Sequence, residues 1–103
     1  MAFYTYIVCS RRNGTLYTGH TDDLLVRIWQ HRNNIFPGFA SKYNCKYLVW
    51  FDQHETRDSA FTRERQIKEW KRDLIETDNP QWQDLYEDLT SWTPVSATQP
   101  LVR

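Results

Sequence analysis

An Asn-Gly pair, Asn13-Gly14, separates two runs rich in β-branched and aromatic residues, and it restricts the fold more than any other feature. Upstream lies FYTYIVC, Phe3 to Cys9, whose rings and branched side chains suit a pleated surface. Asn and Gly accept the left-handed backbone of tight turns, so the chain is expected to reverse there. Thr15 to Gly19 then returns as a second strand. The N-terminus is thereby committed to an antiparallel hairpin.

A two-stranded hairpin is marginal by itself, so the rest of the chain must cover and extend it. Thr21 is the expected N-cap of a first helix over Asp22 to Asn33, with Asp22 and Asp23 placing negative charge in its first turn. Leu24, Leu25, Ile28 and Trp29 recur there at helical spacing. Asn34 to Asn44, with Pro37-Gly38, reads as a loop. Tyr47 to Asp52 (YLVWFD) is a continuous apolar run, expected to be a buried central strand. Thr56 is placed to cap a second helix through Ala60, Phe61, Ile67, Trp70 and Leu74. Asn79-Pro80 has the pattern of a helix start, Asn at the N-cap and Pro at the first position. Trp82, Leu85, Tyr86 and Leu89 give that short third helix one apolar stripe. Past Trp92 the composition turns to Thr, Pro, Ser and Gln, which suits a flexible tail over 93–103. The order β-β-α-β-α-α predicts a single α+β domain over 1–92, a small antiparallel three-stranded sheet flanked by helices.

With 103 residues and 40% hydrophobic content, the chain can build one core and not two. Aromatics at 16% raise the area buried per residue, which helps so small a domain. No apolar run approaches the roughly 20 residues of a membrane span, so no membrane partner is expected. Cys9 and Cys45 lack the spacing of a zinc site or a disulfide framework, which points to a reduced, cytoplasmic setting. The formal net charge of zero hides an asymmetry. Residues 1–72 hold 12 Lys and Arg against 7 Asp and Glu, while residues 73–103 hold 1 against 6. A basic body is compatible with a phosphate-binding face. The zero total argues against tight non-specific duplex binding at physiological salt.

Three placements of polar residues stand out. Glu64 lies four after Ala60 and three before Ile67, on their apolar face, where a carboxylate needs a partner. That partner is either a cation such as Arg27 or Lys68, or a metal ion. Arg27 and His31 are four apart on the first helix and project together, as an exposed polar flank or as a pair able to grip a phosphate. Tyr6 and Tyr17 fall on adjacent strands of the hairpin, close enough to pack against each other.

Taken in order, Tyr4-Thr5-Tyr6, Tyr17-Thr18-Gly19, Arg27, His31 and Glu64 resemble the GIY-YIG nuclease superfamily, above all its small stand-alone bacterial members. Those carry a similar LYTG strand, a similar R-x-x-x-H helix and a similar helix matching Arg63 to Trp70. Asn79-Pro80-Gln81-Trp82 and Asp84-Leu85-Tyr86 also look like that branch, so the resemblance runs over about residues 3–90.

The resemblance implies hydrolysis of DNA phosphodiester bonds with one divalent cation, Mg²⁺ or Mn²⁺, in an activity of the DNA repair or recombination kind. By position, Glu64 is the metal ligand, Arg27 stabilises charge on the scissile phosphate, and Tyr17 is the general base or orients the attacking water. Tyr6 supports phosphate and water, His31 is an accessory contact, and Gly19, His20 and Asn79 border the substrate. Branched or single-stranded DNA and a recruiting protein are the partners it leaves open. Two departures are visible. Tyr4 and Thr5 stand where the family's name has Gly and Ile, and His20 occupies a place where some relatives carry a Lys that assists the tyrosine; His20 either does the same job or is a turn histidine. The competing reading is a non-cleaving nucleic-acid-binding module on the same fold.

Overall fold

The computed structural model describes residues 2–35 and 37–90, so the expected tail over 93–103 lies outside the described residues. β1 (Phe3–Cys9) and β2 (Leu16–Thr21) form the hairpin, closed by Ser10 N–H donating to the Thr15 carbonyl at 3.0 Å. Asn13 takes the left-handed conformation in the turn, with φ of 59°. β3 (Tyr47–His54) pairs antiparallel with the other side of β1, giving the order β2-β1-β3. The central strand is therefore β1, and YLVWFD is an edge strand. Its apolar run has another cause: helices cover both of its sides, so Leu48, Val49 and Trp50 are all buried without a second strand partner.

On one face of the sheet lie α1 (Leu24–Arg32), the short α2 (Phe39–Lys42) and α5 (Leu85–Thr90). Leu24, Ile28 and Ala40 meet Tyr6, Val8 and Leu48 there. On the other face lie α3 (Arg57–Gln66), a 3-10 turn over Ile67–Glu69, and α4 (Lys71–Asp78). Ile7, Cys9, Val49, Trp50, Ile67 and Ile75 fill that side. Alternation along β1 sends Tyr6 and Val8 to one core and Ile7 and Cys9 to the other.

Four further sequence expectations need correction. The cap of α1 is Asp23, whose carboxylate accepts from Val26 N–H at 3.2 Å; β2 runs on through Thr21, which pushes the helix start two residues later. The segment 34–44 is not all loop, because Phe39–Lys42 makes a helical turn. The second helix breaks at Ile67–Trp70. Unbroken from Arg57 to Asp78 it would measure about 33 Å, longer than the roughly 26 Å of an eight-residue strand. The break lets Ile75 pack back on Val49 and Trp50.

Asn79, finally, ends α4 and starts no helix. Its amide donates to the carbonyls of Val49 and Gln83 at 3.0 and 2.9 Å, and its oxygen accepts from Gln83 N–H at 3.1 Å. Val49 is the residue skipped where β1 and β3 shift register between Ile7 and Val8, so Asn79 supplies the partner its carbonyl needs. The turn it brackets holds Trp82 at φ 55°, unusual for so bulky a residue, and sends the indole into the core.

Candidate active site

The hairpin register sets Tyr6 opposite Gly19 and Val8 opposite Tyr17. Tyr6 and Tyr17 are thus diagonal neighbours on the face that α1 covers. His31 enters between them, its ring centroid 5.5 Å from each phenol ring. Tyr6 Oη lies 2.8 Å from His31 Nε2 and accepts from Arg27 Nε at 3.3 Å. A further Arg27 nitrogen donates to Gln30 Oε1 at 3.4 Å, which orients the guanidinium plane. Arg27 and His31 therefore turn toward the sheet and do not form a solvated flank.

Gly19 has a steric reason. A Cβ there would sit 2.5 Å from Tyr6 Oη and 2.7 Å from Cζ, so the Tyr6 ring can cross β2 only where no side chain stands. The Thr5 variant of the first motif is also explained. Thr5 is fully buried on the other face, and its hydroxyl donates to the Ala60 carbonyl at 2.7 Å. That bond ties α3 to β1 one helical turn before Glu64.

Burial pushes the Tyr6 phenol up to about 12, against the opposing pull of the Arg27 hydrogen bond. Burial, and then the Arg27 charge, hold His31 down at about 4. Arg27 is raised, chiefly by its hydrogen bond to Tyr6. At neutral pH the cluster holds a neutral phenol, a neutral imidazole and a guanidinium, a site with one fixed positive charge.

Glu64 approaches from the other face. His20 lies opposite Thr5 in the register and so points to the α3 side, where its Nδ1 meets Glu64 Oε1 at 2.6 Å. The partner of Glu64 is thus His20, not Arg27 or Lys68, and His20 belongs to strand β2, not to a turn. Phe61 packs edge-on against the His20 ring at 5.4 Å. Glu64 makes no hydrogen bond to the tyrosines, but its charge is felt at Tyr6. Both groups lie along β2. Asn79 is placed apart from them, at the β3 edge, with its amide engaged in the backbone contacts described above.

A small cleft of about 80 Å³ opens beside the cluster, walled by Tyr17, Arg27, Gln30, His31, Phe39 and Ser41 among others. The α2 residues in that wall escaped the sequence reading because 34–44 looks like loop. The signal available was Phe39 and Tyr43 four apart around Ala40, following Gly38, a single amphipathic turn.

A family model described as the GIY-YIG catalytic domain matches residues 2–79. UPF0213 proteins of Staphylococcus aureus strains Mu3 and COL are each 33% identical over 70 residues, covering 67% of this chain and 83% of theirs. The solution NMR structure of a UPF0213 protein from Bacillus halodurans aligns over 99% of this chain and 98% of its own, at 23% identity and a TM-score of 0.38. With that model spanning most of the chain, the chain belongs to the GIY-YIG family of the nuclease superfamily.

Proposed function

We propose that the chain is a divalent-metal-dependent endonuclease hydrolysing DNA phosphodiester bonds through Tyr6, Tyr17, Arg27, His31 and Glu64. The observation that carries this reading is the gathering of Tyr6, Tyr17, Arg27 and His31 beside an open cleft, with half-buried Glu64 on the far side of β2. The donor set suits a hard cation. Glu64 offers carboxylate oxygens, and no three His, Cys, Asp or Glu form a closed cage among the described residues. Mg²⁺ or Mn²⁺ on a single carboxylate keeps room for water and phosphate oxygens. When bound, such an ion supplies Lewis-acid polarisation and a more acidic water.

Arg27, held by Tyr6 and Gln30, is oriented to pair with phosphate oxygens and to stabilise the charge they gain during displacement. Tyr17 is the candidate to take a proton from, or orient, the attacking water. Tyr6 is unsuited to that role, since its phenol stays neutral up to about 12; it holds Arg27 and His31 in place. His31 contributes hydrogen bonding without charge, and His20 orients the Glu64 carboxylate from behind. Cys9 and Cys45 are both buried free thiols, which suits a reducing, cytoplasmic setting. No helix among the described residues is long and apolar enough to cross a membrane.

One observation favours the non-cleaving alternative: His20 Nδ1 already engages one Glu64 oxygen at 2.6 Å. The test incubates the protein with single-stranded, duplex, nicked and branched DNA in Mg²⁺ or Mn²⁺, beside Glu64→Ala. Metal-dependent cutting that Glu64→Ala abolishes is the expected result. Binding without cutting on every form leaves only the binding module.

A further inference from the structure

α2 presents Phe39 and Tyr43 one helical turn apart, while Ala40 between them packs into the core. The two residues are 51% and 43% exposed. Their rings continue a line that begins inside the cleft. Phe39 stacks on Tyr17 at 6.3 Å between centroids and 27° between planes, and Tyr43 follows 4.7 Å beyond Phe39. Lys42 Nζ lies 5.5 Å from the centre of the Tyr43 ring. Tyr17 is therefore shared by the Arg27–His31 cluster and by a ladder of rings that leads out to solvent. Leaving two large rings in water forgoes burial that a domain of this size can use. Aromatic faces flanked by cations are how proteins hold successive unpaired bases, stacking the base while the charge meets the neighbouring phosphate.

We infer that Phe39 and Tyr43 form a base-stacking subsite beside the cleft, so that the substrate is DNA with unpaired nucleotides next to the scissile bond. This rests on reading the cleft as the place where a phosphodiester is held. In a continuous duplex both faces of each base are covered by stacked neighbours, and none is available to Phe39. The zero formal charge of the chain points the same way, because phosphate contacts alone give it little hold on a duplex at physiological salt.

The test measures binding of the full chain, in EDTA, to an oligo-dT strand carrying 2-aminopurine and to a blunt duplex of equal length. The Phe39→Ala/Tyr43→Ala double variant should bind the single strand about 10-fold more weakly or worse and lose the quenching of 2-aminopurine, with duplex affinity unchanged. Phe39→Leu keeps apolar bulk without a ring face; it should retain the wild-type thermal midpoint yet bind the strand weakly, whereas Phe39→Trp should bind it normally. Equal losses on strand and duplex, or no loss on either, would overturn the subsite. Cleavage assayed in parallel separates the two readings. Stacking without cutting sinks the nuclease and leaves the subsite. Cutting with an unaltered strand-over-duplex preference in the double variant sinks the subsite and leaves the nuclease.

Discussion

On the α3–α4 side of the sheet, buried polar side chains brace the backbone: Thr5 donates to the Ala60 carbonyl, and Asn79 to the carbonyls of Val49 and Gln83. On the α1–α2 side, Tyr6, Arg27 and His31 are hydrogen-bonded chiefly to one another, at the wall of a cleft. Both sides bury polar groups at a cost that hydrogen bonds must offset. The difference lies in where those bonds lead. Donors spent on main-chain carbonyls hold elements together, while side chains bonded to other side chains at a cleft wall form a charged, preorganised surface able to meet a ligand.

That contrast can be broken most decisively at Arg27. If the two sides differ as described, Arg27→Ala lowers the single-turnover cleavage rate by about 10²–10³-fold, the loss typical of one transition-state charge contact. Its thermal midpoint should move little. A variant that unfolds instead would make Arg27 another brace.

His31 gives the next largest effect. A free imidazole titrates near 6.5, and here it is held at about 4, so the unfolded chain binds the extra proton first. The stability His31 contributes is present above pH 6.5 and is lost as pH falls toward 4. The full loss is at most about 3 kcal/mol, less what solvent screening of a partly exposed ring removes. Denaturant unfolding between pH 7 and pH 4 should show a shallower decline in His31→Gln; identical slopes would contradict the buried, neutral imidazole.

On the bracing side, Asn79→Ala should cost about 1–3 kcal/mol, because the carbonyls of Val49 and Gln83 lose their donor. Cleavage per folded molecule should stay unchanged, and a specific loss of rate would move Asn79 into the site. The smallest effect is at Thr18, whose buried hydroxyl has no hydrogen-bond partner among the described residues. Thr18→Val should raise the urea midpoint by the equivalent of about 1 kcal/mol.

Much of this was legible locally. The hairpin, the Thr56 cap, and Arg27 and His31 on one helical face all follow from residues within a turn or two of each other. Glu64 could be recognised as a carboxylate needing a partner, but the partner could not be named, because His20 is forty-four residues away in the chain. Asn79-Pro80 misled for a related reason. Asn satisfies backbone groups at a helix start and at a bulged strand equally well, and only the neighbour present decides which.

From sequence alone came the antiparallel hairpin, the α+β class and the residue types able to handle a phosphate, since each depends on backbone preference or on spacing along one element. Tertiary structure alone decided that β1 and not β3 is central, that α2 walls the cleft, that Tyr6 crosses β2 over Gly19, and that Glu64 meets His20. Those outcomes depend on contacts between segments far apart in the chain. Strand order and side-chain partnership are chosen by the packing of the whole, which no local period encodes.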